Sequence, residues 1–211
     1  ASMSEFKADL HVHTSASPDG RSALPALAAA ARARGLHALA VTDHNLCTPA
    51  PAALDGVLLI PGCEVSTQAG HITALFLERP LDLDLSGPLP PPEAAVEAIH
   101  RCGGLAVLAH PFQRPGAKPE DLAAAFDGVE TANARAAFQV PDANEKAAGL
   151  ARRWALPCVG GSDAHDAAEV GNAYTVLTAD ALTLPALRQA AAAGGRAVLC
   201  RNTPHFRKGL S

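Results

Sequence analysis

Short apolar runs alternate with alanine-rich stretches along most of the chain. The runs at 38–42, 57–60 and 105–109 have the length and the continuous apolar character of buried strands. The stretches at 22–34 and 144–154 have the length and composition typical of helices. This alternation predicts an α/β protein with about six or seven β/α repeats arranged as a barrel.

The same pattern predicts the other elements of a single domain. Further strands are predicted at 8–13, 71–77, 128–131, 158–161 and 174–177. Further helices are predicted at 93–101, 121–126 and 184–193. A chain of 211 residues has the length of one domain, which we place at 5–200 and which a basic C-terminal tail follows at 201–211.

Histidines and carboxylates stand where the predicted strands end. His11 and His13 are two residues apart, so both side chains point to one face of a strand, and buried imidazoles there need a polar partner or a metal ion. Asp163 and His165 repeat this spacing after another strand. Four more such residues lie at or near the ends of different strands: His44, Glu64, His71 and His110. Because the C-terminal ends of barrel strands meet at one mouth, the sequence predicts a site for several metal ions there.

Composition and charge narrow the partners that we expect. The formal net charge of −4 provides no electrostatic footprint for a nucleic-acid groove, so we expect no nucleic-acid polymer as a partner. No apolar stretch approaches the length that spans a bilayer, so we expect no membrane partner. The five cysteines are odd in number and widely spaced, which indicates reduced thiols and a cytoplasmic location.

The motifs resemble those of the polymerase and histidinol phosphatase (PHP) family of metallohydrolases. The segments that carry the resemblance are 9–14, 17–20, 42–45, 61–66, 109–111 and 161–165. They follow the order of the family's motifs and extend over most of the chain. The resemblance implies a distorted, TIM-like (β/α)7 barrel with two or three divalent ions at its C-terminal mouth. Zn²⁺, Mn²⁺ and Fe²⁺ all accept mixed imidazole and carboxylate ligands.

The resemblance also implies which residues bind each ion. The first ion would be bound by His11, His13, Glu64 and Asp163. The second would be bound by Glu64 as a bridging carboxylate, together with His71 and His110. The third would be bound by Asp19, His44 and His165.

A phosphoesterase is the activity that this ligand set predicts. A hydroxide shared by two ions attacks phosphorus in line, and the ions neutralise the charge that develops on the phosphoryl oxygens. Asp163 and His165 are candidates to orient the water or to protonate the leaving group, and Glu64 bridges the ions. We expect a small phosphorylated metabolite or nucleotide as the substrate.

Arginine positions favour phosphate as the bound group. Asn133 and Arg135 resemble the family's N-x-R motif after its sixth strand, where arginine binds phosphate through two nitrogens. Arg21, after Asp19 and Gly20, is a second candidate for substrate binding.

Two alternatives stay open at the level of sequence. A bridging hydroxide also attacks carbonyl carbon, so hydrolysis of an amide or carbamate, as in amidohydrolases, is one alternative. A non-catalytic PHP barrel is the other. The sequence leaves open the exact substrate, the choice between monoester and diester, the metal and the oligomeric state.

Overall fold

One mixed sheet, curved into a nearly closed barrel, organises residues 2–204, the part of the chain described by a computed structural model. Its strands are β1 (Ser4–Val12), β2 (Ala38–Val41), β3 (Ala53–Leu54), β4 (Val57–Thr67), β5 (Gly70–Leu75), β6 (Leu105–Leu108), β7 (Gly128–Asn133), β8 (Cys158–Gly161), β9 (Ala173–Ala179) and β10 (Arg196–Leu199). The helices are α1 (Leu24–Ala33), α2 (Pro92–Arg101), α3 (Ala134–Gln139), α4 (Ala143–Trp154) and α5 (Leu184–Ala193).

The strand order explains why the barrel is distorted. The order is β10-β9-β1-β2-β4-β5-β6-β7-β8, with β3 paired to β4. The pairs β1/β2, β2/β4, β6/β7 and β7/β8 are parallel, whereas β5 and β9 run antiparallel to their neighbours. Strand β5 is antiparallel because only Gln68 and Ala69 separate it from β4, and a turn of two residues joins antiparallel strands. The predicted TIM-like α/β barrel is therefore confirmed, in a form with antiparallel strands.

Two glycines of β8 allow this strand to approach β9 and β1 closely, which nearly closes the barrel. The Gly160 N–H donates to Thr175 Oγ1 on β9 at 2.8 Å, and that hydroxyl is also 2.8 Å from the Gly160 carbonyl oxygen, to which it donates. A Cβ atom at Gly161 would lie 2.4 Å from Cβ of His11, so a larger residue there would push β8 away from β1. The close approach places the end of β8 beside the imidazoles of β1.

Apolar side chains of the helices cover the outside of the sheet. Leu27 of α1, Ile99 of α2 and Leu187 of α5 are fully buried against strand residues. Two helices begin with a side-chain cap, because Asn133 Oδ1 accepts from Ala136 N and Thr183 Oγ1 accepts from Ala186 N. This packing fixes the barrel that supports the strand ends.

Some predicted elements differ from the structure. The helix predicted at 121–126 is wrong, because a 3₁₀ turn at Pro119–Asp121 is followed by irregular chain. The helix α3 and the edge strand β10 were not predicted. Among residues 2–204 no helix is both long and apolar enough to cross a bilayer. Of the predicted tail, positions 205–211 lie outside the described residues.

Candidate metal centre

Imidazoles and carboxylates from seven segments of the chain meet at the C-terminal mouth of the barrel. These residues are His11 of β1 and His13 after it, Asp19 before α1, His44 after β2, Glu64 of β4, His71 of β5, His110 after β6, and Asp163 and His165 after β8. Every residue that the sequence predicted as a metal ligand is therefore at one place, because the strand ends converge there.

Glu64 lies at the centre of the cluster and is fully buried. Its Oε1 is 3.4 Å from Nε2 of His13 and 3.0 Å from Nδ1 of His44. Its Oε2 is 3.0 Å from Nε2 of His11 and 3.1 Å from Nε2 of His110. The two oxygens of one carboxylate thus face two different pairs of imidazoles, which is the arrangement of a bridging ligand.

His71 approaches the same carboxylate from the next strand. Its Nδ1 is 3.5 Å from Oε2 of Glu64, and its side chain is 19% exposed. The β4/β5 hairpin pairs Glu64 with Thr73 and His71 with Ser66, so the turn of this hairpin sets where the imidazole lies. His71 faces the second carboxylate oxygen together with His11 and His110.

Asp163 is the second buried carboxylate of the cluster. Its Oδ1 lies 3.4 Å from Nε2 of His11 and 3.2 Å from Nε2 of His13. The backbone at Asp163 has φ of 56° and that at His110 has φ of 24°, both in the left-handed region. Such conformations cost about 1–3 kcal/mol and occur at functional sites. The fold therefore places two proposed ligands in unfavourable backbone conformations.

Asp19, His44 and His165 form the outer part of the cluster. Oδ2 of Asp19 is 3.1 Å from Nε2 of His165 and 3.7 Å from Nε2 of His44. The rings of His44 and His165 both stack on the ring of His13, with centroid distances of 4.3 Å and 4.2 Å. The Asp19 side chain is 55% exposed, so this part of the cluster faces solvent.

Burial and charge compete over the protonation of these groups. Burial opposes the charged form of His11, but Asp163, Glu130 and Glu64 outweigh it and raise the pKa of His11 well above its ordinary value. Burial lowers the pKa of His13. Burial also works against the carboxylate form of Glu64 and Asp163, yet the neighbouring imidazoles hold the pKa of both carboxyls well below the ordinary range. Both carboxylates are ionised at neutral pH.

The donor atoms of the cluster fit a divalent metal ion. Nε2 of His11, Nε2 of His13, Oε1 of Glu64 and Nδ1 of His71 are buried, and their contacts of 3.0–3.5 Å within the cluster lack hydrogen-bond geometry, so none has a hydrogen-bond partner among the described residues. Unpaired buried polar atoms are unfavourable, and a metal ion satisfies them. Four overlapping groups bring their ligand atoms within 4.8 Å of one another: His11/His13/Glu64, His11/His110/Asp163, His13/His44/His165 and His44/Glu64/His71.

Glu130 of β7 supports the cluster and was missed by the sequence prediction. Nδ1 of His11 lies 2.7 Å from Oε2 of Glu130. Oε1 of Glu130 accepts from His110 N at 3.0 Å and from Asn133 Nδ2 at 2.7 Å. The contact keeps a proton on Nδ1 of His11, so Nε2, which faces Glu64 and Asp163, is the nitrogen that would bind a metal ion. A carboxylate within the predicted strand 128–131 was the only available signal.

Asp9 of β1 is another missed residue, and it joins β1 to the segment after β8. Its Oδ1 accepts from Ser162 N at 2.9 Å and its Oδ2 accepts from Gly171 N at 2.8 Å. Burial raises the pKa of Asp9 to about 6, although these hydrogen bonds work in the opposite direction. Asp9 thereby fixes the chain on both sides of Asp163.

Of the predicted substrate-binding residues, Asn133 lies elsewhere than expected. It is fully buried, and its amide donates to Glu130 Oε1 at 2.7 Å and to Asp163 Oδ2 at 3.3 Å, while its oxygen caps α3. As the last residue of β7, it turns its side chain inward, so the prediction that it reaches substrate is corrected. Asn133 positions Asp163.

Arg135 and Arg21 line a cavity of about 860 Å³ above the cluster. Nη2 of Arg135 forms an ion pair with Glu169, at 2.8 Å and 3.1 Å from its two oxygens. Nε of Arg135 donates to the Asp163 carbonyl at 3.2 Å. Arg114 is a third arginine of the cavity lining. The mouth thus combines the acidic cluster with three guanidinium groups.

Comparison with known proteins places the chain in a family. Residues 9–82 match the family model described as PHP domain, and residues 141–194 match the one described as PHP-associated. The uncharacterized protein MJ1587 of Methanocaldococcus jannaschii is 33% identical over 148 residues, which are 61% of this chain and 82% of that protein. The chain belongs to the PHP family, which includes metal-dependent phosphoesterases.

Solved structures share the fold at low sequence identity. A two-domain protein from Bacteroides vulgatus, described as containing a predicted PHP-like metal-dependent phosphoesterase, has a TM-score of 0.67 and 20% identity; the match covers 93% of this chain and 65% of that one. Endonuclease Q in complex with a 27-mer duplex has a TM-score of 0.65 and 18% identity; the match covers 93% of this chain and 58% of that one. An amidohydrolase from Chromobacterium violaceum has a TM-score of 0.64 and 22% identity; the match covers 78% of this chain and 89% of that one.

The expectation that no nucleic-acid polymer is a partner is wrong. Endonuclease Q, which has this fold, is seen with duplex DNA that carries an abasic lesion at the active site. The net charge of −4 describes the whole chain, whereas phosphate contacts depend on local charge. At the mouth three arginines line the cavity, and bound cations would add positive charge.

Proposed function

We propose that this chain is a metal-dependent phosphoesterase that hydrolyses a small phosphorylated metabolite or nucleotide. The observation that carries the proposal is the buried set of imidazole and carboxylate atoms without hydrogen-bond partners, among the described residues, below a cavity lined by three arginines. Imidazole and carboxylate bind divalent ions, and guanidinium groups bind phosphate. The two features together favour a phosphoester substrate.

Two or three divalent ions, of zinc, manganese or iron, are the proposed cofactors. The proposed ligand sets are His11, His13, Glu64 and Asp163; Glu64, His71 and His110; and Asp19, His44 and His165. The bridging role of Glu64 is supported by its two oxygens, which face different imidazoles at 3.0–3.5 Å. When bound, such ions lower the pKa of a water molecule and neutralise charge on phosphoryl oxygens.

Asp163 and His165 are the proposed proton-handling residues. Nδ1 of His165 lies 2.8 Å from the Asp163 carbonyl oxygen and donates its proton there, so Nε2 faces the cavity and Asp19. An imidazole with a fixed tautomer at the mouth is suited to pass a proton to a leaving oxygen at Nε2. The Asp163 carboxylate, fixed by Asn133, orients the attacking water.

Arg135 is the proposed phosphate-binding residue, and Arg21 is a second candidate. Glu169 and the Asp163 carbonyl engage Nη2 and Nε of Arg135, and among the described residues Nη1 makes no hydrogen bond. A guanidinium that is fixed on one side loses little rotational freedom when it binds phosphate on the other. Glu169 also accepts from His165 N at 2.8 Å, which couples Arg135 to the cluster.

Amide or carbamate hydrolysis is the second candidate function. It is supported by the fold shared with the amidohydrolase from Chromobacterium violaceum, because the same ligand types also activate water toward carbonyl carbon. Phosphodiester cleavage in nucleic acid is a further candidate, supported by the fold shared with Endonuclease Q. The open cavity of about 860 Å³ accommodates a small molecule or an exposed nucleotide.

A substrate panel tests the proposal directly. Protein reconstituted with Mn²⁺, Zn²⁺ or Fe²⁺ is assayed with phosphomonoesters, small phosphodiesters, duplex DNA with and without an abasic site, and amides and carbamates. We expect turnover of a small phosphoester that is lost in the His11→Ala, His13→Ala double variant. Hydrolysis of amides or carbamates alone would contradict the proposal, and so would no hydrolysis by fully metallated protein, the result that a non-catalytic barrel predicts.

A further inference from the structure

A second cavity adjoins the one above the metal cluster. It has a volume of about 350 Å³, and we call it the side cavity. It shares His71, His110, Arg114 and Pro115 with the larger cavity. Its other walls are formed by the β4/β5 turn and by the segment between β6 and the 3₁₀ turn at Pro119–Asp121. The two cavities therefore meet at His71 and His110, two of the proposed metal ligands.

The charges of the side cavity are all positive. Arg114 and Lys118 line it, and no carboxylate does among the described residues. The side chains of Arg114 and Lys118 form no hydrogen bond or ion pair within residues 2–204. The larger cavity differs, because Asp19, Glu64 and Asp163 belong to its lining. Two cations without partners at the edge of a cavity attract an anionic group.

Apolar groups form the rest of the lining. Leu108 and Leu122 contribute side chains, and Pro111 and Pro119 contribute rings. The volume of about 350 Å³ is near the lower limit for ligand sites. The side cavity therefore fits a compact group with an apolar body and a charged end.

We propose that the side cavity is a subsite for the part of the substrate beyond the scissile bond, and that it selects a small organic group that carries a negative charge. The proposal rests on the proposed function, because it assumes that the reacting phosphoester lies at the metal cluster. His71 and His110 border both cavities, so the leaving group of that ester extends past them toward Lys118. The charge of Lys118 then favours an anionic leaving group over a neutral one of the same shape.

A matched pair of substrates tests this selection. 4-Carboxyphenyl phosphate and 4-carbamoylphenyl phosphate have nearly the same shape and differ by one charge at the end remote from phosphorus. We expect Mn²⁺-reconstituted wild-type protein to have the larger kcat/KM with the carboxylate. In Lys118→Glu this preference should fall by about tenfold, which corresponds to about 1.4 kcal/mol, whereas kcat/KM for the carbamoyl compound should change by less than about twofold.

Lys118→Glu changes the charge of the side cavity alone, and Arg153→Glu is its control. Lys118 lines only the side cavity, whereas Arg114 lines both cavities. Arg153→Glu changes the chain's charge by the same amount on the exposed face of α4, away from both cavities, and should keep the wild-type preference. An unchanged preference in Lys118→Glu, or an equal loss in Arg153→Glu, would overturn the proposal.

A binding measurement separates failure of the subsite from failure of the proposed function. Binding of 4-hydroxybenzoate and 4-hydroxybenzamide is measured calorimetrically with saturating inorganic phosphate, which occupies the metal cluster. We expect 4-hydroxybenzoate to bind more tightly, and Lys118→Glu to weaken that binding by about tenfold. If no phosphoester of the panel is hydrolysed, the phosphoesterase proposal fails, whereas equal binding of 4-hydroxybenzoate to both proteins would overturn the subsite by itself.

Discussion

At the C-terminal mouth of the barrel, Nε2 of His11 and Nε2 of His13 are buried without a hydrogen-bond partner among the described residues, whereas the histidines at the opposite end are paired. There, Nδ1 of His37 accepts from Lys7 N at 3.0 Å. Nε2 of His100 lies 2.7 Å from Oδ2 of Asp127, which also accepts from Ala106 N. Both ends thus contain imidazoles beside strand termini, but within residues 2–204 buried imidazole nitrogens without a partner occur only at the mouth.

Hydrogen bonding of the ring nitrogens separates a functional histidine from a structural one. At the opposite end, the pairing of His37 and His100 ties helix–strand junctions together and completes the local hydrogen bonding. At the mouth, buried imidazole nitrogens lack hydrogen-bond partners and stand beside two ionised carboxylates, Glu64 and Asp163, a set of donor atoms that favours a bound cation. The mouth is therefore built for a ligand, and the opposite end for stability.

Glu64→Gln should have the largest effect. The amide keeps the shape but loses the charge and one acceptor oxygen, so neither set of imidazoles retains a shared carboxylate. We expect kcat/KM for the best phosphoester to fall by at least about 10³-fold, with loss of bound metal. Glu97→Gln, on the exposed face of α2, is the control and should keep wild-type activity. Activity of Glu64→Gln within about tenfold of wild type would contradict its central role.

Asp9→Asn should remove a pH dependence of stability. Because burial raises the folded-state pKa of Asp9 from 3.8 to about 6, the native state binds this proton more tightly than the unfolded state. The Asp9 contribution to the free energy of unfolding is therefore greatest below about pH 4 and decreases by about 3 kcal/mol in total as pH rises through 6 to about 7. Urea unfolding of metal-free wild type and Asp9→Asn across this range measures the difference, and a parallel pH dependence in both proteins would contradict it.

Glu130→Gln should weaken metal binding. The variant loses the carboxylate that accepts the Nδ1 proton of His11, so the tautomer with Nε2 facing the cluster is no longer fixed. We expect divalent ions to bind about 10–100-fold more weakly in a chelator competition. Asp127→Asn is the matched control, because it alters a carboxylate–imidazole contact of the same 2.7 Å length at the opposite end. Equal losses of affinity in both variants would erase the distinction between the two ends.

His100→Gln should have the smallest effect. The contact with Asp127 is partly exposed, because 40% of the His100 side chain and 30% of the Asp127 side chain are accessible to solvent. We therefore expect the free energy of unfolding to fall by about 0.5 kcal/mol or less. Activity should stay within about twofold of wild type, because the residue lies far from the mouth. Unfolding and kinetic measurements on one preparation check both values. A large loss of activity with normal stability would show that the opposite end has a functional role.

Much of the fold was predictable because the signals were periodic. The short apolar runs identified the strands that carry ligands, and the spacing of two residues placed His11 and His13 together. The sequence did not reveal that β5 is antiparallel, since this depends on the two-residue turn at Gln68 and Ala69. The edge strand β10 was missed because, in the part of the chain that the structure describes, β9 alone pairs with it.

The residues that support the ligands were harder to predict. Glu130 and Asp9 are single carboxylates in apolar strands, and their importance depends on contacts to residues more than a hundred positions away. Asn133 was assigned to substrate because motif spacing does not tell which face of the chain a residue occupies. Burial and hydrogen bonding, which only the structure gives, assign it to Asp163 instead.

Inductively coupled plasma mass spectrometry measures whether the residues at the mouth bind metal ions and how many. Wild type, the His11→Ala, His13→Ala double variant and a His37→Ala, His100→Ala double variant are reconstituted with Mn²⁺, Zn²⁺ or Fe²⁺ and freed of excess ion. We expect two or three ions per chain in wild type and in the opposite-end variant, and at most one in the mouth variant. No bound metal in wild type, or equal metal content in the two double variants, would contradict it.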